Sequence, residues 1–172
     1  MRLPLAVSAL LLGLATLRPA LAAEASPLQG TWTLTAAGSI TSDGKHVPAF
    51  GPNAEGRLIV DANGRYTLQI YRGSAEPADK EQPAKVFKAA QLVSAHYGHI
   101  TLDPQQHLLT FSIDAAYSPH SNESGNYTPN WNGTMQTRPY TLNGDDLSYQ
   151  VPPTPGNPAT AISVWHRVSP GA

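Results

Sequence analysis

The chain has no cysteine. No disulfide can form, no thiol can act as nucleophile, and no lipid can be attached through a lipoprotein cysteine. Charge is sparse and scattered: eleven Lys and Arg stand against twelve Asp and Glu, with no basic run. A phosphate-binding partner needs a concentrated positive patch, so the composition argues against nucleic acid and against an anionic membrane surface. There is no G-x-S-x-G nucleophile elbow, no internal repeat and no alternation of strand and helix that would build a parallel sheet.

The N-terminus carries a targeting pattern. Met1-Arg2 is a short positive region, Leu3 to Leu17 is almost uninterruptedly apolar, and Ala20-Leu21-Ala22 is a small-x-small cleavage site. The apolar stretch of about 15 residues is shorter than the roughly 20 needed to span a bilayer. We therefore expect a signal peptide over 1–22, cleaved after Ala22. The mature domain over 23–172 would be periplasmic or secreted, with no membrane span. Without Arg2 and Arg18 it keeps nine basic residues against twelve acidic ones. A domain of about 150 residues buries roughly two-thirds of its chain surface, enough to hold together on its core alone.

Along the mature chain the dominant period is two. Gly30 to Ile40 alternates, with Trp32, Leu34 and Ala36 on one face and Thr31, Thr33 and Thr35 on the other. Ser42-Asp43-Gly44 is a turn, and His46 to Asn53, with two prolines and a glycine, reads as an irregular loop. Strands are expected over Gly56–Asp61 and Arg65–Arg72, joined by a hairpin turn in which Asn63-Gly64 takes positive φ. Val86, Ala90 and Val93 are spaced for a short helix over Ala84–Ala95. Further strands are expected over Tyr97–Asp103, His107–Tyr117, Gly133–Leu142, Leu147–Val151 and Thr160–Val168. Ser118 to Asn132 is a loop of about 15 residues, a length uncommon outside functional segments. Eight successive antiparallel strands must close or stack to hide their edges. An eight-stranded barrel has room for one small ligand.

Several motifs then carry a resemblance. Leu28-Gln29-Gly30-Thr31-Trp32, Pro48-Ala49-Phe50-Gly51-Pro52-Asn53 and Gly56-Arg57-Leu58 resemble the bacterial and fungal lipocalin-like domain family, a calycin-type barrel. So do Gly64-Arg65-Tyr66, Tyr97-Gly98-His99-Ile100-Thr101-Leu102-Asp103, the N-W-x-G-T-x-Q-x-R segment Asn130 to Arg138, Gly144-Asp145-Asp146-Leu147 and Trp165-His166-Arg167-Val168. Together they cover nearly all of the mature chain in order. The resemblance implies an all-β, eight-stranded, antiparallel up-and-down barrel with one short helix. It also implies that Arg167 of the last strand packs over Trp32 of the first, closing one end. A pocket-floor contact to an anionic ligand is the functional alternative for that pair. Two positions depart from the family's habit, in which tyrosines often stand where this chain has His96 and Ile100. The loop before Asn130 is also longer here.

The inward faces supply the candidate ligand-binding residues: Tyr66, Ile70, His96, Ile100, Phe111, Arg138 and Tyr140. Each has a plainer reading as core. Arg138 shares a face with Gln136, Tyr140 and Leu142. An unpaired buried guanidinium is costly, so Arg138 calls for a ligand carboxylate or an internal partner such as Glu55 or Asp114. Six histidines invite a metal reading. However, His96 and His99 fall on opposite faces of a strand, and His46, His107 and His120 lie near turns, so no metal or other cofactor is expected. Sequons at Asn122, Asn126 and Asn132 match glycosylation sites as the polar loop would by chance. The expected function is an exported protein binding a small hydrophobic or amphipathic molecule, monomeric or weakly dimeric, with no catalytic residue assigned. The alternatives are an isomerase or cyclase using the cavity, and a protein–protein module of the envelope acting through an exterior apolar patch near Tyr127 and Trp131.

Overall fold

The computed structural model describes residues 25–51, 53–73, 93–117, 131–152 and 159–168. The expected leader, residues 84–92 of the expected helix, residues 118–130 with His120 and Tyr127, and residues 153–158 lie outside them.

Nine strands follow in chain order: β1 (Gly30–Ile40), β2 (His46–Pro48), β3 (Glu55–Val60), β4 (Arg65–Tyr71), β5 (Val93–Asp103), β6 (Leu108–Ala116), β7 (Thr134–Asn143), β8 (Asp146–Val151) and β9 (Thr160–Val168). All pairings are antiparallel, and β1 closes the sheet by pairing with β3 through Gly30–Thr33 and with β9 along nearly its whole length. The result is the eight-stranded barrel that the alternation and turn spacing imply. Closure removes the free edges that an open sheet of this size would leave for aggregation.

Several local expectations change. The segment read as an irregular loop contains β2, whose three residues pair with Gly38–Ile40 where β3 has left β1. Pro48 is tolerated there because a short edge strand can spare an N–H. Of the expected helix, Val93–Ala95 belong to β5 and pair with Tyr71, Ile70 and Gln69. For these three residues backbone pairing across the sheet outweighs the helical reading. Ala36 is exposed and Ala37 buried, because Thr35 is an extra residue between the Leu34–Trp165 and Ala36–Val164 pairs. That bulge shifts the inward phase by one residue. In the β3–β4 turn only Gly64 has positive φ, at 81°. Asp61 instead accepts the N–H groups of Asn63 and Arg65, both at 2.8 Å, so Asn63 needs no left-handed backbone.

Inward residues follow the period of two. Leu58 and Val60, Tyr66, Leu68 and Ile70, Leu109, Phe111 and Ile113, and Leu147 and Tyr149 are buried, whereas Ile59, Tyr97 and Met135 stand outside. One end is sealed. Leu28 is fully buried there, and Ser26 N–H donates to Ala62 at 3.0 Å, folding the N-terminal segment under the barrel. The Arg167 guanidinium lies 4.1 Å over the Trp32 ring and donates to the carbonyls of Gln29 and Pro27, while its Nε meets Asp145 at 3.1 Å. The Trp32 indole donates to the Leu28 carbonyl at 2.9 Å. Arginine here joins the first strand, the last strand and the N-terminal segment in one contact set. Among the described residues no helix is long and apolar enough to cross a membrane.

Candidate binding site

Above that seal a group of aromatic and polar side chains packs in the barrel interior. Its frame is the pairing of β4 with β5, which sets Tyr66 opposite Gly98 and Leu68 opposite His96. Gly98 is required by a close approach. The pairs Tyr97–Ala115 and Gly98–Ile113 leave Asp114 as an extra residue on β6. That bulge presses the chains together until a Cβ on residue 98 would lie 2.0 Å from the Ser112 carbonyl oxygen. Tyr66 therefore stands over a position with no side chain, and its hydroxyl reaches His96 Nδ1 at 2.7 Å.

Phe111 packs edge-on against Tyr66, His96 and Tyr149, with ring centroids 5.1, 5.3 and 5.3 Å away. Trp131 completes this wall, its ring edge-on to His96 at 5.8 Å. Edge-to-face rings attract through their quadrupoles, which holds this wall together. Trp131 is held by the turn into β7, where the N–H and hydroxyl of Thr134 donate to its carbonyl at 3.1 and 2.7 Å.

Arg138 enters the lumen from β7 opposite Leu109, on the same inward face as Gln136. Its guanidinium donates to the Gln136 side-chain oxygen. Neither expected internal partner reaches it: Glu55 and Asp114 are exposed, on β3 and at the β6 bulge, and among the described residues no carboxylate pairs with Arg138. Beside it the barrel wall is unzipped. The β7–β8 ladder runs from Asn143–Asp146 only to Tyr140–Tyr149. Tyr140 N–H donates to His107 on the β6 side at 3.0 Å, so position 139, one residue on, addresses β8. Proline there has no N–H to offer, and the ladder stops at Tyr140, two residues short of Arg138.

Burial sets the protonation states. Desolvation, reinforced by the charge of Arg138, pulls His96 down to about 4, so it is neutral at pH 7. Tyr66 and Tyr149 are pushed up, chiefly by burial, and remain protonated. The Tyr149 hydroxyl faces Ser163 and the Trp165 indole, whose donors partly offset that burial. Trp165 Nε1 is nonetheless buried without a properly formed hydrogen bond. Arg138 is lowered by desolvation, with both phenols acting in the opposite sense.

Four of the residues singled out from sequence thus meet in one group: Tyr66, His96, Phe111 and Arg138. Ile70 is buried further along β4, between Gly56 and Ser94 in register. Ile100 is buried opposite Phe111 in the β5–β6 register, on the side toward the sealed end, its N–H bonded to Gly64 at 2.8 Å. Tyr140 faces inward but its ring lies 6.4 Å from that of His107, toward the β5–β6 turn. The exterior patch expected at Trp131 is not formed there, because its ring turns inward against His96. Tyr149, Gln136 and Trp165 were not singled out as site residues. The first two could have been found by carrying the alternation of Leu147 and Arg138 two residues along, whereas alternation gives no inward orientation for Trp131, which precedes β7. A depression of about 360 Å³ between β1 and β3, lined by Leu34, Ala54, Gly56 and Tyr71 among others, shares no residue with this group. Among the described residues no three acidic or histidine side chains converge as metal ligands.

Against known proteins, the model of the family described as a lipocalin-like domain matches residues 29–168. No curated protein and no solved structure matches the chain.

Proposed function

Because this chain belongs to the lipocalin-like domain family, we propose that it is an exported protein that binds a small, largely apolar molecule inside its barrel. The observation that carries the reading is the Tyr66–His96–Phe111–Trp131 wall with Arg138 beside it. Aromatic surface and a few converging polar groups inside a closed β-barrel are the usual make-up of a small-molecule site. Export rests on the Leu3–Leu17 apolar run and the Ala20-Leu21-Ala22 cleavage pattern.

Native mass spectrometry of protein recovered from the cells that make it tests both parts. The expected species starts at Ala23 and carries a bound small molecule. A protein that retains its leader counts against export. A bare chain that also shows no thermal shift with a panel of apolar and amphipathic compounds overturns the binding reading.

A second reading, catalysis of an isomerisation or cyclisation, is favoured by one observation: Tyr66 and His96 are two titratable groups within hydrogen-bond reach inside the lumen. It requires that the bound molecule be converted on incubation and that Tyr66→Phe stop the conversion while leaving binding in place. Binding without conversion removes it.

A further inference from the structure

We propose that the molecule held in the barrel is an organic acid, with a flat apolar body against His96, Phe111 and Trp131 and a single negative charge at Arg138. This rests on the lumen-binding reading above and adds the chemical class of the guest.

The first argument is an unbalanced charge. Arg138 is drawn into the barrel, and among the described residues its hydrogen-bond partner is the neutral amide oxygen of Gln136. Guanidinium stays protonated even when burial lowers its pKa. The phenols near it are held neutral by burial, and the nearby histidine is neutral as well. The carboxylates of Glu55 and Asp114 are exposed on the far side of the wall. A partly buried cation without a counter-charge is costly, and a carboxylate guest would remove that cost through a bidentate pair.

The second argument is the polarity of the remaining groups. The oxygen of Gln136 is occupied by Arg138, which leaves its amide nitrogen to donate. Trp165 Nε1, on a side chain with no exposed surface, is a donor with no properly formed bond. The hydroxyl of Tyr149 lies beside it. Donors outnumber acceptors, so the complement is a group made of acceptors. One guanidinium balances one negative charge, which favours a carboxylate over a phosphate dianion. A cationic guest would face Arg138 with no acid to receive it.

The third argument is placement. The β7–β8 ladder ends at Tyr140–Tyr149, beside the backbone of Arg138, so the charged side chain stands where the wall is not zipped. The ring wall starts on β6 itself, where Phe111 pairs with Gln136 two residues from Arg138, and continues through His96 of β5 and Trp131 before β7. A guest bridging the two needs an acidic head and a flat body on one small frame.

Three probes of matched shape test this by isothermal titration calorimetry on the mature protein: 2-naphthoate, the neutral 2-naphthamide and cationic 2-naphthylmethylammonium. The expected result is naphthoate bound at least about tenfold more tightly than naphthamide, with the cation weakest, and an Arg138→Met variant that loses the preference by weakening naphthoate alone. Equal binding of acid and amide, or a preference unchanged in Arg138→Met, overturns the acidic head while leaving lumen binding in place. No binding of any probe overturns both. The unaltered protein supplies a check independent of that variant's folding. One of its three indole N–H resonances, that of Trp165, is expected to shift with naphthoate more than with naphthamide. Identical shifts count against the assignment.

Discussion

His96 shows most directly how one residue ties stability to chemistry. Burial and then the Arg138 charge hold its folded pKa at about 4, whereas an exposed histidine titrates near 6.5. On acidification the unfolded chain takes up this proton first, so the folded state loses ground as pH falls from about 6.5 to about 4. Below that window both states are protonated and this group adds no further loss. The expected penalty at the acid end is about 2–3 kcal/mol relative to pH 7. Urea unfolding at several pH values checks it. His96→Gln, which retains a hydrogen-bonding group for Tyr66 but does not titrate, is expected to flatten this part of the profile. An unchanged slope between pH 6.5 and 4 in that variant would place the effect elsewhere.

Strands are shaped by irregularities that a period of two does not announce. The β6 bulge at Asp114 brings Ser112 against Gly98, so Gly98→Ala forces a Cβ into a backbone carbonyl. We expect it to cost more than about 3 kcal/mol, or to prevent folding. Gly133→Ala is the control: its φ is 69° but nothing lies within 4 Å, so only the left-handed backbone is penalised, by about 1 kcal/mol. Comparable losses for the two would show that the bulge is looser than described. Pro139 acts on the opposite wall. Pro139→Val supplies the missing N–H toward β8, and hydrogen exchange is expected to show the new amide at position 139 protected. Rapid exchange there would mean that the seam stays open for reasons other than the proline. Both features are single residues in the sequence, but their effect is exerted on a neighbouring strand.

Closure is a property of the whole molecule. The longest pairing joins β1 to β9, from Thr31–Val168 to Ile40–Thr160, the two ends of the barrel sequence. Arg167 and Trp165 of β9 supply the seal over Trp32 and part of the lumen floor. A chain ending at residue 159 would lose both and leave β1 and β8 as bare edges. It is expected to show no cooperative thermal transition in circular dichroism and to aggregate. A retained sharp transition would mean that the remaining strands close without β9.

The architecture was legible in the sequence because an antiparallel strand with one dry face must alternate, and turns mark where each strand ends. Eight barrel strands and the inward set Tyr66, His96, Phe111 and Arg138 follow from those two local rules, whereas the Gly30-Thr31-Trp32 opening was legible through the family resemblance. Where a bulge inserts a residue the rule fails, which is why Ala36 and Ala37 exchange faces. Only the closed fold decided which inward residues meet. It moved Ile100 to the sealed end, turned Tyr140 toward His107, drew Trp131 in from its turn and left Arg138 without either of its expected acids. Alternation fixes a side chain's face, but its height in the barrel depends on the stagger between strands. That stagger is set by bulges and by the pairing of segments far apart in the chain.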